Sequence, residues 1–165
     1  MNRKDQLKQR LTHQREALHD LLTNLSEDAW KTAVFPDDTQ ADPPWTVTDL
    51  VGHLADAEQN MTRLMAQIQA GGEGVPADFD INRWNSGRAV KNKDKSISQR
   101  LDDLAASRAA LFTFIDSLAD EDLEKAGRHA NGQIMTIDQI CVVVAGHDKL
   151  HMRDIQKAIG KPVNR

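Results

Sequence analysis

Three histidines of this chain lie where the helical repeat of their segments turns toward a buried face. His147 and His151 are four residues apart within residues 136–158, whose apolar positions recur with the i, i+3, i+4 spacing of an amphipathic helix. His53 occupies the apolar stripe of an earlier segment, residues 46–70. Because side chains at i and i+4 share one helix face, the later two can reach a common atom.

A buried neutral imidazole needs a partner for each ring nitrogen, and an apolar bundle offers few. A metal ion supplies such a partner, and imidazole suits Zn, Ni, Fe, Co and Cu more than Mg or Ca. Three His ligands leave a position free for water or substrate, whereas a structural zinc site usually closes with a fourth protein ligand. A metal held in this way lowers the pKa of a bound water or thiol, or polarises a carbonyl.

The alternative is that all three are ordinary core histidines. The H-x-x-x-H pair lacks the Glu of H-E-x-x-H, and one such pair is unremarkable among the six histidines of the chain. The residue pattern by itself leaves the metal site and the core role open.

The segments that carry these histidines predict an all-α protein. Aromatic residues make up 4% of the 165 residues, and few β-branched runs alternate with polar residues. The patterns T-x-x-D at Thr46, S-x-x-Q at Ser96 and T-x-x-Q at Thr136 match helix capping boxes. Amphipathic spacing predicts four long helices, at residues 5–25, 46–70, 96–118 and 136–158. Short acidic turns are predicted at residues 26–30 and 119–123, and a loop at residues 35–44.

A long connector, residues 71–95, separates the second and third long helices and decides the topology. Each of those helices is roughly 30 Å long at 1.5 Å per residue. A tight link would make them antiparallel, but this connector can run the length of the bundle and start the third helix parallel to the second. We therefore predict a four-helix bundle connected up-down-down-up, in a single domain of residues 1–165, with a short helical turn within residues 78–88.

Charge and hydropathy exclude several classes of protein. The net charge of −4 argues against a general nucleic-acid binder. No apolar run approaches membrane-spanning length and no signal peptide leads the chain, so we expect a cytoplasmic protein that contacts neither membrane nor nucleic acid. The single cysteine, Cys141, falls on an apolar stripe and is predicted to be a core residue. We predict surface positions for His13, His19 and His129, although His129 could instead reach the cleft from its loop as an acid or base.

Three stretches of the sequence resemble the DinB-like superfamily. They are W-T-V-T-D-L-V-G-H-L at residues 45–54, G-Q-I-M-T-I at residues 132–137 and G-H-D-K-L-H at residues 146–151. The W-T-x-x-x-L-x-x-H start of the second long helix and the later H-D-x-x-H are the family's best markers. The similarity extends from the first helix to His151.

The resemblance implies the up-down-down-up bundle and a divalent metal, most often nickel or zinc, with His53, His147 and His151 as its ligands. It also implies a homodimer. Some members of the family are thiol S-transferases or isomerases that use mycothiol, bacillithiol or glutathione, and most have no assigned reaction. Because ligating histidines usually need a partner for their second nitrogen, Asp148 and Asp154 are candidates to orient the imidazoles, with Asp154 the better placed.

The connector supplies further candidates, because it could cap the metal cleft. Arg83, Trp84, Asn85 and Arg88 lie in it, and the two arginines could hold a carboxylate or the anion of a thiol cofactor. The alternative for these residues is surface charge beside a tryptophan anchor.

The function that these observations predict is a metal-dependent transferase or hydrolase. In this hypothesis the metal activates a low-molecular-weight thiol or water toward a small electrophilic substrate. Two alternatives stay open: a metal-binding or stress-response protein without turnover, and a dimerisation scaffold that binds no metal. The sequence identifies no separate catalytic acid or base.

Overall fold

The computed structural model describes residues 1–37 and 44–163. Within them the chain forms six helices, one 3₁₀ turn and two short strands. The helices are α1 Arg3–Thr23, α2 Glu27–Trp30, α3 Val47–Gln69, α4 Ile81–Asn92, α5 Ile97–Ser117 and α6 Ile137–Ala158. The 3₁₀ turn is Asp120–Glu124, and the antiparallel strands are β1 Ala126–Arg128 and β2 Ile134–Thr136. Most of the loop predicted at residues 35–44 lies outside the described residues.

The long helices begin where their capping boxes predict. The side chains of Thr46, Ser96 and Thr136 each accept a hydrogen bond from the backbone N–H three residues later. In return, the side chain at that third position accepts from the N–H of the capping residue. Two otherwise unpaired donors are thereby satisfied at each helix start. No helix of the described residues is long and apolar enough to cross a membrane.

Paired side chains show that α1 and α6 run parallel. Arg3, at the start of α1, donates to Asp138 at the start of α6, and Arg15, further along α1, donates to Asp148 further along α6.

The same comparison shows that α3 and α5 run parallel. Arg100 near the start of α5 donates to the Thr48 carbonyl near the start of α3, and Arg108 pairs with Glu58 further along both helices.

The direction reverses between these two pairs of helices. Lys8, early in α1, pairs with Asp116 at the end of α5, and Cys141, early in α6, contacts Met65 late in α3. The four-helix bundle therefore has the predicted up-down-down-up connection.

The connector contains more structure than the predicted short turn. Residues 81–92 form the 12-residue helix α4, whose first turn is capped by the side chain of Asp80. Arg88 and Asn92 of α4 both donate to the carboxylate of Asp56, which fastens α4 to α3. Asn92 is the only buried residue of α4, so the helix has no apolar stripe that the sequence could reveal.

The core consists of two apolar clusters at opposite ends of the bundle, with a group of four charges between them. One cluster contains Leu11 and Leu111, and the other contains Leu18 and Leu104. Each long helix contributes one charged side chain to the layer between the clusters: Arg15 from α1, Glu58 from α3, Arg108 from α5 and Asp148 from α6. We call this group the central charge network.

Glu58, Arg108 and Asp148 of the central charge network are buried, and Arg15 is partly buried. Every carboxylate oxygen of the network accepts a hydrogen bond. Arg108 donates to Glu58 Oε1 at 2.8 Å and to Asp148 Oδ2 at 2.9 Å. Arg15 donates to Asp148 Oδ2 at 2.9 Å and also to Glu58. Burial works against the charge of Arg108, but the hydrogen bonds and charges of its two acidic partners outweigh it and raise the pKa of the guanidinium. Two positive and two negative charges thus leave the layer neutral.

We expect Arg108→Met to lower the free energy of unfolding by about 3–5 kcal/mol, because it removes one member of a buried ionic group and leaves the carboxylates under-compensated. Urea denaturation followed by circular dichroism measures the change. The matched control is Lys8→Met, which breaks the more exposed pair with Asp116 and should cost no more than about 1 kcal/mol. Equal losses in the two variants would contradict a central role for the network.

Candidate metal centre

The imidazoles of His53, His147 and His151 meet between α3 and α6. The Nε2 atom of His147 lies 3.2 Å from Nε2 of His53 and 2.9 Å from Nε2 of His151. The three candidate ligand atoms all lie within 4.8 Å of one another. The convergence follows from the antiparallel packing of α3 and α6, which brings the second turn of α3 beside the second half of α6.

Neighbouring side chains hold two of the rings in place. The Nδ1 atom of His151 lies 2.9 Å from Oδ2 of Asp154, one helical turn further along α6. Because a carboxylate only accepts, this contact places the hydrogen of the neutral ring on Nδ1 and the lone pair on Nε2. The indole of Trp45 packs against His53 with ring centroids 5.2 Å apart.

The environment keeps the three rings neutral. Burial, and next the neighbouring His151, lower the pKa of His53 from 6.5 to about 4. Burial also lowers the pKa of His147 well below its ordinary value, and the other histidines reinforce the effect. For His151 burial outweighs the opposing effect of its hydrogen bond to Asp154, so its pKa is lowered too. Neutral imidazoles present lone pairs, which is the form that binds metals.

The donor set fits a small transition-metal ion. Tetrahedral ligands at about 2.0–2.1 Å from a zinc ion are about 3.3 Å apart, close to the observed separations between Nε2 atoms. Without an ion, a hydrogen on one Nε2 atom can satisfy one of the two contacts between Nε2 atoms. The other contact then brings two like groups together, either two lone pairs or two N–H groups. Within the described residues, the three histidines are the group of potential ligands whose ligand atoms lie close enough together to share one ion. The group contains no carboxylate or thiol.

A cleft of about 230 Å³ opens beside His53 and His147. Helix α4 forms one wall and the turn between β1 and β2 forms another. The cleft is lined mainly by apolar side chains, namely Ala57, Met61, Ile81, Trp84, Ala130 and Val143. Its polar lining, apart from the two metal-centre rings, consists of Asn60, Asn85, His129 and Asn131.

The structure divides the connector candidates into two groups. Trp84 and Asn85 line the cleft, as expected of residues that cap it. Arg83 is exposed and lies on an outer groove, and the guanidinium of Arg88 is bonded to Asp56 at 2.5 Å. The expectation that these arginines hold an anion in the cleft is therefore not met, because one points outward and the other is already neutralised.

The two acidic candidates also differ. Asp154 contacts His151, as the sequence indicates. Asp148 does not contact an imidazole; it is 1% exposed and belongs to the central charge network. Adjacent helix residues point about 100° apart, so His147 and Asp148 face different sides of α6.

His129 is the cleft residue that the sequence assigned wrongly. It is 8% exposed, not a surface residue, and it lines the cleft. It lies at the end of β1, where its N–H donates to the Gln133 carbonyl and closes a hairpin turn through Asn131 and Gly132. The dipeptide Asn-Gly is a strong hairpin signal and could have placed this residue in an ordered turn. The remaining assignments hold: His13 and His19 are exposed, and Cys141 is fully buried with its pKa raised by burial to about 12.

Comparisons with known proteins agree with this architecture. The sequence model of the DinB superfamily matches residues 10–155. The structure is similar to that of YfiT from Bacillus subtilis, a probable metal-dependent hydrolase with an unusual four-helix bundle topology, with a TM-score of 0.72, 19% identity, and coverage of 96% of this chain and 89% of that one.

It is also similar to a mycothiol-dependent maleylpyruvate isomerase, with a TM-score of 0.71 and 15% identity over 94% of this chain. A point mutant of that isomerase matches equally well, with a TM-score of 0.71. This chain covers only 63% of the isomerase's length. At these identities the solved structures establish a common fold. The comparison with curated proteins finds no significant match.

We expect the metal-free protein to lose stability as the pH falls from 6.5 to about 4. In this range the histidines are protonated in the unfolded chain while their lowered pKa values keep them neutral in the folded chain, so the unfolded state binds more protons. For His53 alone the loss is on the order of 2 kcal/mol. Urea denaturation of chelator-treated protein at several pH values measures it.

The control for this pH dependence is a variant in which all three rings are replaced, His53→Gln with His147→Gln and His151→Gln. Its free energy of unfolding should fall less steeply over the same range, while His13→Gln should retain the wild-type slope. Identical slopes in wild type and the triple variant would show that these rings are not held neutral by the fold.

Proposed function

The chain belongs to the DinB superfamily, and from that premise we propose that His53, His147 and His151 bind one divalent transition metal and that the protein is a metal-dependent enzyme. The observation that carries the proposal is the convergence of three Nε2 atoms at separations of 2.9 and 3.2 Å, next to a cleft. The metal-dependent hydrolase among the similar structures supports it by analogy.

The residues of the chain would divide the work as follows. The three imidazoles hold the ion on one side, and the contact from Asp154 fixes the tautomer and the orientation of His151. The apolar walls of the cleft would contact the apolar part of a substrate. A divalent metal bound there supplies Lewis acidity and lowers the pKa of a coordinated water or thiol.

Nickel and zinc are the metals that this donor set and the family favour, because imidazole nitrogen suits both. We propose a low-molecular-weight thiol or water as the nucleophile and a small electrophile as the substrate. The mycothiol-dependent isomerase supports the thiol by analogy of fold, and the hydrolase supports water. A binding protein without turnover is the second candidate, but α4 leaves the cleft in contact with His53 and His147 and does not wall it off.

We expect protein purified without a polyhistidine tag to contain about one divalent metal ion per chain, because three neutral imidazoles converge at metal-ligand separations. Elemental analysis measures the metal content. His53→Ala and His147→Ala should each reduce it to a small fraction, whereas His13→Ala on the exposed face of α1 should leave it unchanged.

Asp154→Asn gives a graded version of the same measurement. Loss of a carboxylate partner of a ligating histidine typically weakens metal affinity about 10–100-fold. Asp20→Asn, at an exposed position of α1, is the matched control. Wild-type protein that binds no nickel or zinc after dialysis against either ion would overturn the proposed metal centre.

Turnover decides between the enzyme and the binding protein. We expect metal-loaded protein to accelerate one of two reactions, each followed by absorbance. One is the displacement of chloride from 1-chloro-2,4-dinitrobenzene by the sulfur of glutathione or mycothiol, and the other is the hydrolysis of 4-nitrophenyl acetate. Chelator treatment and His147→Ala should each remove the acceleration, since the imidazoles hold the metal. Stoichiometric metal with no acceleration of either type of reaction would favour the binding protein.

A further inference from the structure

Two buried polar atoms of the cleft have no partner among the described residues. They are Nε2 of His129 and Oδ1 of Asn85. Buried polar groups are almost always hydrogen-bonded, so each exception calls for an explanation. Both residues line the cleft beside the metal centre, one from the hairpin turn and one from α4. Both atoms are covered by neighbouring groups, so a molecule bound in the cleft becomes their partner after a small rotation of each side chain.

The hydrogen bonds around His129 determine what its free nitrogen offers. Its Nδ1 atom accepts a hydrogen bond from the backbone N–H of Asn131 at 3.3 Å. In a neutral ring the hydrogen is then on Nε2, which makes Nε2 a donor. The hairpin fixes the residue, because the His129 N–H donates to the Gln133 carbonyl and its own carbonyl accepts from Gly132. The backbone of His129 is therefore held in place before any ligand arrives.

The charge of the cleft limits the ligand further. None of its lining residues, all within the described ranges, is Asp, Glu, Lys or Arg. The arginine nearest in sequence to Asn85 on the inner side of α4, Arg88, is paired with Asp56. An ionised group in this apolar space would lose its hydration without gaining a counter-charge, except at the metal itself. The part of the ligand that occupies the cleft is thus uncharged.

We propose that the cleft binds a small, largely apolar, uncharged substrate whose carbonyl or hydroxyl oxygen accepts a hydrogen bond from Nε2 of His129 and whose N–H or O–H group donates to Oδ1 of Asn85. His129 and Asn85 are then substrate-binding residues that select for a neutral carboxamide-like or hydroxycarbonyl group over a carboxylate. The cleft, of about 230 Å³, has room for a small molecule. His129 and Asn85 thus define the substrate class of the proposed enzyme, and only the description of the bound molecule as a substrate rests on the proposed function.

The test uses three probes of similar size: benzamide, which has an acceptor and a donor, acetophenone, which has only the acceptor, and benzoate, which is charged. Binding to the full-length, chelator-treated protein is measured by NMR titration. We expect both neutral probes to bind wild type more tightly than benzoate. His129→Leu should weaken benzamide and acetophenone by about five- to tenfold each, which is the usual effect of losing one hydrogen bond.

Asn85→Leu provides the second variant, since it should weaken benzamide and leave acetophenone unchanged. His13→Leu is the control and should change neither. The inference is wrong if benzoate binds best, if benzamide does not bind wild type, or if both cleft variants bind the neutral probes as wild type does.

The same titration, repeated after zinc is added, separates this inference from the proposed function. Protein that shows the expected probe selectivity but binds no metal would overturn the metal-dependent enzyme and leave the cleft assignment standing. Protein that binds metal but whose cleft variants behave as wild type would overturn the cleft assignment alone.

Discussion

The central charge network is the interaction on which the arrangement of this bundle depends. Arg15, Glu58, Arg108 and Asp148 come from the four long helices and meet in one buried layer. Apolar packing is non-directional, and a helix could slide by one turn, about 5.4 Å, and still bury leucines. Hydrogen bonds between guanidinium and carboxylate groups do not tolerate such a shift, since their geometry is specific. The network therefore fixes the axial register of all four helices at once.

That register is what brings the imidazoles together. On α3, His53 lies five residues before Glu58, and on α6, His147 immediately precedes Asp148. Because α3 and α6 are antiparallel, residues before Glu58 lie at the level of residues after Asp148. Placing the two carboxylates around the same arginines therefore brings His53 close to the level of His151, three residues after Asp148, with His147 one turn away on the same face of α6. A one-turn slip of α6 would separate the rings by more than the 3.2 Å at which His53 and His147 now lie. The network thus stabilises the bundle directly and positions the three histidines indirectly.

The features of the fold that the sequence predicted are those that depend on local patterns of residues. The capping boxes at Thr46, Ser96 and Thr136 and the apolar stripes are local patterns, and the predicted helices and their up-down-down-up order agree with the structure. The convergence of His53 with His147 and His151 was also predictable, since each position lies on a stripe that had to face the core. The assignment of those rings as ligands stays a prediction.

The features that the sequence did not reveal depend on partners far away along the chain. From the sequence, Asp148 was a candidate to orient an imidazole. Only the packing of α1 and α5 shows that its partners are Arg15 and Arg108. Helix α4 has no apolar stripe, because it is fastened through polar side chains to Asp56. His129 lies in a turn with no periodicity, and its burial results from the hairpin and α4 closing over it. Periodicity cannot report any of these contacts.

The central charge network and the cluster of three imidazoles differ in one respect that bears on function. In the central charge network every carboxylate oxygen has a donor, so the layer is complete without a ligand. Among the three imidazoles only one of the two contacts between Nε2 atoms can hold a hydrogen bond, and in the cleft beside them two polar atoms have no partner within the described chain. Local conflicts of this kind cost stability, and they persist in folded proteins mainly where a ligand resolves them. The hydrogen bonds of the central charge network offset that cost. The network also holds α3 and α6 in the register that keeps three neutral imidazoles facing one point.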